Sequence, residues 1–449
     1  MSDPSPADLA AALLDAARRA GAEAADAIVI TGTSVSVDVR GGELEQADRA
    51  EGLDLGLRVL IGGRQACVSA SDARPDTLAR MAERAVAMAR EAPEDPWAGL
   101  ADPAQLGARR DAEGLELFDP AAEPAPEALL DEARRAEAAA LAVQGISRID
   151  QASAGYGRRD IWLAATNGFA GGYRRSARSI SCVAITGDGT GMERDWSSES
   201  RVFAADLPTP EAIGREAGER AIARAGARKP RSGAFPVLYD ERVAGSLVGH
   251  LASAINGTAI ARGASWLRDA LGTPVLPAGL DLVEDPLRPR ISGTRPFDAE
   301  GLATAPRHLV RDGVLQGWVL DLATARKLGL ESTANATRGP AAPPSPGLSN
   351  LELTQGDRGR DELIREMGTG LLVTSLIGAT INPTTGDYSR GAAGFWVEGG
   401  EIRHPVNECT IAGNLREMLT RLTPANDARR HLSTVVPSLL VEGLTIAGA

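Results

Sequence analysis

Alternation of apolar and polar residues at a spacing of two is the feature that most constrains how this chain folds. It runs through residues 34–39 and residues 52–61, and glycine pairs at 41–42 and 62–63 interrupt it. Successive side chains of a strand point to opposite faces, and paired glycines favour the tight turns of hairpins. The pattern therefore predicts an antiparallel meander in this region.

Helical spacing of apolar residues separates the groups of strands. It covers residues 7–20, which stop before Gly21, and residues 76–90, 126–143 and 210–225. Glycine commonly ends a helix because it adopts the left-handed conformation without a steric penalty. Together these patterns predict an α+β fold with an N-terminal α/β half built on antiparallel sheets and a strand-rich C-terminal domain.

Length and linker composition predict how the chain divides. At 449 residues it is longer than one compact core normally supports. Prolines break the helical pattern before residue 110, and residues 224–233 are basic and contain Pro230. We predict an N-terminal α/β module at 1–110, a central helix and sheet module at 111–226, and a C-terminal strand-rich domain at 227–449.

A proline-rich segment at residues 335–348 stands apart from the rest of the C-terminal half. It has no apolar periodicity and little apolar surface with which to order itself. We therefore predict that it is a mobile loop or lid.

Charge and hydropathy exclude several functional classes. The chain has 48 Lys and Arg residues against 60 Asp and Glu residues, and a net charge of -12 repels nucleic-acid phosphates. No stretch approaches 18 uninterrupted apolar residues, and residues 1–27 lack the basic start of a secretion signal. We therefore expect a cytoplasmic protein that neither spans a membrane nor binds nucleic acid.

The histidines do not form a metal-binding pattern. His250, His308, His404 and His431 are far apart, and zinc motifs such as HExxH need two imidazoles on neighbouring helical turns with a carboxylate base beside them. His250 falls on a predicted helix at residues 241–256, where a lone histidine is more often a satisfied polar residue than a ligand. The residues by themselves predict no cofactor.

Nucleophile and phosphate-binding motifs are also missing. No Gly-x-Ser-x-Gly sequence occurs, and Cys409 has only His404 close to it in the sequence. We therefore interpret Cys409 as structural. The glycines at residues 187–191 lack the Lys-Ser/Thr of a phosphate loop and indicate the end of a hairpin.

One segment, residues 382–397, concentrates polar residues around turn-forming ones and continues into an aromatic strand. Such a segment presents backbone and hydroxyl donors to an extended peptide, or it forms a tight, internally hydrogen-bonded turn that fixes the sheet. Both interpretations stay open at this point. The candidate substrate or partner contacts are Asn382, Thr385, Gly386, Asp387, Tyr388, Ser389, Arg390, Phe395 and Asn414.

At this segment the chain resembles the TldD/PmbA family, and specifically its PmbA branch, also called TldE. The resemblance extends over nearly the whole chain, because unrelated motifs occur in the same order. Besides residues 34–61 and 382–397, the motifs are Asp285-Pro286, residues 295–301, residues 312–315, Asp321 with residues 325–330, residues 410–415 and residues 437–441.

The resemblance implies a subunit of a cytoplasmic heterodimeric zinc metalloprotease. A TldD-type chain carries the zinc, and the TldE-type chain completes a chamber that admits unfolded peptides. The family is linked to trimming leader peptides from modified peptide precursors and to degrading an antitoxin, and it carries an older label of DNA gyrase modulator. The partners implied are a TldD-type zinc-bearing subunit and an unfolded peptide.

This chain departs from the zinc-binding pattern of TldD-type chains, which combine a HExxxH helix with a later cysteine. The corresponding positions hold Val248, Gly249 and Ser253, and no cysteine occurs between residues 431 and 449. Valine and glycine side chains cannot bind zinc, and the glutamate that would accept a proton is missing. No catalytic residue or metal ligand is therefore transferred to this chain, and zinc is expected in the partner subunit.

Two further hypotheses compete with that of a non-catalytic subunit. The first is a self-sufficient peptidase with an unrecognised site around His250, Ser253 or Cys409. The second is a gyrase-modulating binding protein, against which the net charge of -12 argues if DNA is contacted directly. For the heterodimer, we expect exposed apolar edges of the C-terminal sheet to form the contact, because interfaces need an apolar patch.

Overall fold

A computed structural model describes residues 4–448 of the chain. Its N-terminal half alternates helices with long antiparallel strands. The elements are α1 (Pro6–Ala20), β1 (Ala24–Arg40), β2 (Glu43–Ile61), β3 (Arg64–Ala70), α2 (Pro75–Glu91), α3 (Pro126–Leu141), β4 (Ile146–Ala165), β5 (Ala170–Thr186), β6 (Glu193–Arg201) and α4 (Pro210–Ala223). Single turns of 3₁₀-helix lie at Pro103–Gln105, Gly189–Gly191 and Ala204–Asp206.

The first six strands form one antiparallel sheet in the order β3-β2-β1-β4-β5-β6. All four helices pack on the same face of it. Ala27 and Val29 of β1 are buried with α1 and α2, whereas Val35 and Val37, farther along the same face, are buried with α3 and α4. This is the period-two alternation predicted from the sequence, and the opposite face of the sheet packs with none of these four helices.

Local signals fix both ends of α1, and of these the stop at Gly21 was predicted. The Ser5 side chain accepts a hydrogen bond from the Asp8 N–H at 3.2 Å, and the Asp8 carboxylate accepts one from the Ser5 N–H at 3.0 Å, so α1 begins with a capping box. It ends at Gly21, whose φ of 98° is readily adopted only by glycine. The predicted helices at residues 76–90, 126–143 and 210–225 correspond to α2, α3 and α4 within a few residues.

The C-terminal half is rich in strands, also as predicted. Its elements are β7 (Gly233–Tyr239), α5 (Glu241–Ala254), α6 (Gly257–Ala261), β8 (Leu282–Glu284), β9 (Arg307–Arg311), β10 (Val314–Leu315), α7 (Leu322–Leu328), β11 (Ala336–Thr337), β12 (Ser345–Pro346), β13 (Leu351–Leu353), α8 (Arg360–Met367), β14 (Gly370–Ile381), β15 (Asp387–Glu398), β16 (Glu401–Asn414), α9 (Leu415–Thr420), β17 (Leu422–Pro424), β18 (Thr434–Val435) and β19 (Leu439–Ala447).

The main C-terminal sheet closes into a barrel. Its order is β16-β15-β14-β7-β19-β17. Because β16 also pairs with β19, the five strands from β16 to β19 form a closed ring. The pair β7 and β14 is parallel, and the other pairs are antiparallel. Apolar residues of α5, including Leu247 and Leu251, are fully buried in the same core as the barrel strands.

The prediction that residues 335–348 form a mobile loop is wrong. The segment is a short hairpin of β11 and β12, closed by the pairing of Ala336 with Pro346. The Arg338 side chain is fully buried and pairs with Asp26 of β1. Contacts with the N-terminal sheet, which composition alone does not reveal, supply the ordering that the segment's own apolar surface cannot.

The N-terminal sheet runs across the predicted boundary at residue 110, because β1 from the first predicted module pairs with β4 from the second over fourteen positions. The two predicted modules therefore share one layer of structure. The division at 110 and 226 stays a prediction.

No helix within residues 4–448 combines the length and the apolar character needed to cross a lipid bilayer.

Candidate functional site

The segment between β14 and β15 is a turn whose polar groups largely bind one another. The Asn382 side-chain oxygen accepts hydrogen bonds from the N–H groups of Thr384 and Thr385, at 2.9 and 3.2 Å. The Gly386 N–H donates to the Asn382 carbonyl at 2.9 Å. Gly386 has a φ of 83°, a conformation that other residues adopt only with strain.

Asp387 and Asn414 brace this turn from the neighbouring strand ends. The Thr385 hydroxyl donates to one Asp387 carboxylate oxygen at 2.6 Å, and the Asn414 amide donates to the other at 3.1 Å. These two bonds lower the pKa of Asp387. The Asn414 side chain also accepts from the Arg416 N–H at 3.1 Å, which caps α9. The structure thus brings together Asn382, Thr385, Gly386, Asp387 and Asn414 in the arrangement of a sheet-fixing turn, and their contact with a peptide stays a prediction.

The remaining candidates lie along β15 and do not come together in one site. Tyr388 is only 2% exposed, and its hydroxyl lies 3.4 Å from the hydroxyl of Tyr239 in the barrel core. Ser389 and Arg390 are half-buried, and the Arg390 guanidinium donates to the Gly378 carbonyl at 2.6 Å. Phe395 packs with a different apolar cluster, which contains neither the turn nor Tyr388.

Helix α5 holds the positions that correspond to the zinc motif of TldD-type chains. Val248 is 2% exposed and belongs to the barrel core, whereas Gly249 and Ser253 face solvent. The Ser253 hydroxyl donates to the Gly249 carbonyl at 2.9 Å. Within residues 4–448, no group of three or more His, Cys, Asp or Glu side chains is placed to hold a metal ion. The residues at this position do not fit zinc.

Cys409 belongs to the barrel core, and His250 lies beside it. The His250 Nε2 is buried without a hydrogen-bond partner, so the prediction of a satisfied polar histidine is wrong. The His250 ring stands edge-on to Tyr388 with centroids 5.9 Å apart, and burial together with Arg390 lowers its pKa. The Cys409 thiol donates to the Ala392 carbonyl at 3.2 Å, and burial raises its pKa to about 11. Cys409 is therefore a protonated thiol at neutral pH, as expected of a structural cysteine.

A cleft between the N-terminal sheet and the barrel was not predicted. It contains two adjoining cavities of about 520 and 360 Å³, which share Asp195 of β6, Arg242 of α5 and Thr374 of β14. Arg242 pairs with Asp195 at 3.1 Å and with Asp240 at 3.2 Å. Burial, with the neighbouring Asp240, raises the pKa of Glu241 to about 7.

The helix-free face of the N-terminal sheet is lined with hydroxyl groups. Two neighbouring rows run across strands β1, β4, β5 and β6, and their members are half-buried or exposed. One row is Ser36, Gly155, Ser179 and Ser200, and the next is Asp38, Ser153, Ser181 and Ser198. All members except Gly155 and Asp38 are serines. We call these residues the serine face. Along each strand the serines alternate with buried residues, so they point away from the buried face of the sheet. The strand register then brings serines from four strands side by side.

Family models match most of the chain. The PmbA/TldA metallopeptidase domain 1 matches residues 25–89, the central domain matches residues 119–225, and the C-terminal domain matches residues 232–448.

Two curated PmbA relatives are similar to this chain over almost their full length. The metalloprotease PmbA of Escherichia coli O157:H7 is 37% identical over 95% of this chain and 92% of its own. The PmbA homologue of Haemophilus influenzae is 34% identical over 97% and 94%. The metalloprotease TldD homologue of Haemophilus influenzae is 26% identical over only 54% and 50%.

Solved structures share the fold. A Bacteroides thetaiotaomicron protein, named as a candidate modulator of DNA gyrase, superposes with a TM-score of 0.90 at 29% identity and covers 98% of each chain. TldE of Thermococcus kodakarensis superposes with a TM-score of 0.84 at 19% identity, over 98% of this chain and all of its own.

Proposed function

Because this chain belongs to the PmbA/TldD metallopeptidase family, PmbA branch, we propose that it is the non-catalytic subunit of a cytoplasmic, two-chain zinc protease. A TldD-type partner supplies the zinc and cleaves the peptide bond. This chain supplies part of the wall of the chamber in which an unfolded peptide or a leader peptide is held.

The composition of α5 is the observation that carries this proposal. A hydrolytic zinc site needs three protein ligands and a base for the attacking water. Val248 has no donor atom and is buried in the core, and Gly249 has no side chain. Ser253 alone offers an oxygen, and its hydroxyl already donates within the helix. Restoring a zinc site would therefore require several simultaneous substitutions.

The serine face and the cleft beside it support a role in holding peptides. Hydroxyl groups exchange hydrogen bonds with any peptide backbone, so a wall of serines accepts unfolded chains with little sequence preference. Partner contact is supported by exposed apolar residues of the barrel strands, because Ile377 of β14 is 69% exposed and Ile402 of β16 is 47% exposed. A stable interface buries roughly 1,600 Å² around such residues.

The test is to purify the two chains separately and together. The lone chain should contain zinc well below one equivalent and should not cleave an unfolded peptide, whereas mixing with the TldD-type chain should produce cleavage. The control is a TldD-type chain whose HExxxH glutamate is changed to glutamine, which should bind this chain and leave the peptide intact. Stoichiometric zinc and cleavage in the lone chain would contradict the proposal.

Individual substitutions separate this proposal from a self-sufficient peptidase. Ser253→Ala and Cys409→Ala should each leave cleavage by the complex within about twofold of the wild type, because neither side chain meets a base. A loss of more than about a hundredfold, in a variant with unchanged stability, would instead place catalysis in this chain.

A pull-down at moderate salt that recovers neither gyrase nor DNA would dispose of the gyrase-modulating hypothesis.

A further inference from the structure

A cavity of about 240 Å³ lies where the N-terminal sheet meets the loop before Thr294. The side chains of Arg159 of β4 and Arg175 of β5 line it, whereas the neighbouring Arg158 shares the opposite face of β4 with the buried Tyr156. Gly157 and Ala177 leave the space between them open. Apolar side chains complete the lining, namely Leu117, Val202 and Ile291. The cavity therefore combines guanidinium groups with an aliphatic wall.

The cationic groups of this cavity are not neutralised by the protein. Arg159 is exposed, and its side chain makes no ion pair or hydrogen bond with the described residues. Arg175 donates to the backbone carbonyls of Ser292 and Thr294, which carry no net charge, and its Nε is buried without a hydrogen-bond partner. In a chain with a net charge of -12, this is a local excess of positive charge.

The strand register connects the cavity to the serine face. Arg159 lies opposite Arg175, Gly157 opposite Ala177, and the first serine row follows two residues farther along the same face. From Gly157 to Gln151 the strand advances about 20 Å, the length of roughly six extended residues. At that end Val183 and the half-exposed Trp196 line the cleft against β14.

We propose that the cavity lined by Arg159 and Arg175 binds the C-terminal carboxylate of an extended peptide, whose preceding residues lie along the serine face towards the cleft. Guanidinium groups bind carboxylates through paired, charge-assisted hydrogen bonds. The aliphatic wall accepts an apolar side chain of the last peptide residue. A free inorganic anion has no such side chain to place against the wall. The proposal rests on the proposed function only in taking a peptide as the ligand.

The test measures peptide binding to the full-length chain alone by fluorescence anisotropy. The probe is an eight-residue, N-terminally labelled peptide that ends in leucine, prepared as the free acid and as the C-terminal amide. The free acid should bind at least about tenfold more tightly than the amide at low salt. Arg159→Gln should reduce that ratio to below about threefold, and Arg159→Gln combined with Arg175→Gln should abolish it.

Arg174→Gln is the matched control. Arg174 neighbours Arg175 and is exposed, but it pairs with Asp160 at 2.8 Å and does not line the cavity. This variant has the same net charge as Arg159→Gln and should keep the full ratio.

Equal binding of the free acid and the amide, or an equal loss in both variants, would overturn the proposal. Inorganic phosphate that competes as strongly as the free-acid peptide would assign the cavity to free anions and would also overturn it. A lone chain that carries zinc and cleaves peptides would refute the proposed function and leave the difference between acid and amide intact.

Discussion

Glu300 is a buried carboxylic acid in the 295–301 motif that links this chain to its family. It is 8% exposed, and its carboxylate accepts the N–H of Leu322 at 2.9 Å. Asp298, 1% exposed, accepts the N–H groups of Glu300, Leu302 and Ala336. The two acids hold the turn after residue 297 against β11 and α7. These hydrogen bonds give the two acids of the motif a structural role.

Burial, with the neighbouring Asp298 and Asp321, raises the pKa of Glu300 in the folded state. A folded-state pKa above the unfolded value means that the folded protein binds the proton more tightly, so stability is greatest below the unfolded pKa near 4.5 and falls as the pH rises through the folded pKa. The unfolding free energy of the wild type should therefore fall between pH 5 and pH 8. In Glu300→Gln we expect this fall to be smaller by about 2 kcal/mol.

Urea unfolding at intervals between those pH values measures the effect. The exposed residue Glu331 provides the control, since Glu331→Gln should reproduce the wild-type pH dependence. A Glu300→Gln profile parallel to that of the wild type would show that Glu300 titrates normally.

At the scale of elements, the turn between β14 and β15 is connected to α9 through one side chain. Asn414 ends β16, donates to the turn at Thr385 and Asp387, and accepts the N–H of Arg416, the second residue of α9. A single amide thus satisfies groups on three elements, as expected for an N-cap residue that also closes a hairpin.

Asn414→Ala should lower the free energy of unfolding by about 1–2 kcal/mol, because it removes the α9 cap and both bonds to the turn. Thermal and urea unfolding provide the measurement. Thr384→Ala in the same turn is the control, because the Thr384 side chain is exposed and it should change stability by less than about 0.5 kcal/mol. Equal effects of the two substitutions would mean that Asn414 does not brace the turn.

At the scale of the whole molecule, the buried carboxylate of Asp195 joins the N-terminal sheet to the C-terminal half. It is 5% exposed on β6 and pairs with Arg242 of α5 at 3.1 Å and with Arg224, after α4, at 3.7 Å. The Arg338 pair with Asp26 joins the halves at another point. Buried charges that lose one partner are costly, so these pairs hold the barrel against the sheet.

Asp195→Ala should destabilise the protein by about 3 kcal/mol and should loosen the coupling between the sheet and the barrel. Calorimetry should then resolve two transitions, or one transition that is clearly broadened. Asp160→Ala, which breaks the exposed pair with Arg174, should keep a single transition near the wild-type temperature. A single, unshifted transition for Asp195→Ala would show that other contacts join the halves.

Local elements and family membership follow from the order of the residues alone. Period-two alternation, helical spacing and glycine at positive φ are properties of neighbouring residues, so the meander, α1 and the strand-rich C-terminal domain were predicted from them. The interpretation of Cys409 as a buried structural thiol also followed from local context. The turn at residues 382–387 was predicted as one of two alternatives for the same reason.

Features that depend on residues far apart in the chain became visible in the folded molecule. The 335–348 hairpin is ordered by Asp26, more than three hundred positions away, so its composition alone gave the wrong answer. The serine face depends on the register of four strands, and the arginine cavity combines β4, β5 and a loop near residue 291. Alternation specifies which side of its own strand a side chain takes, whereas strand pairing and domain packing specify its neighbours.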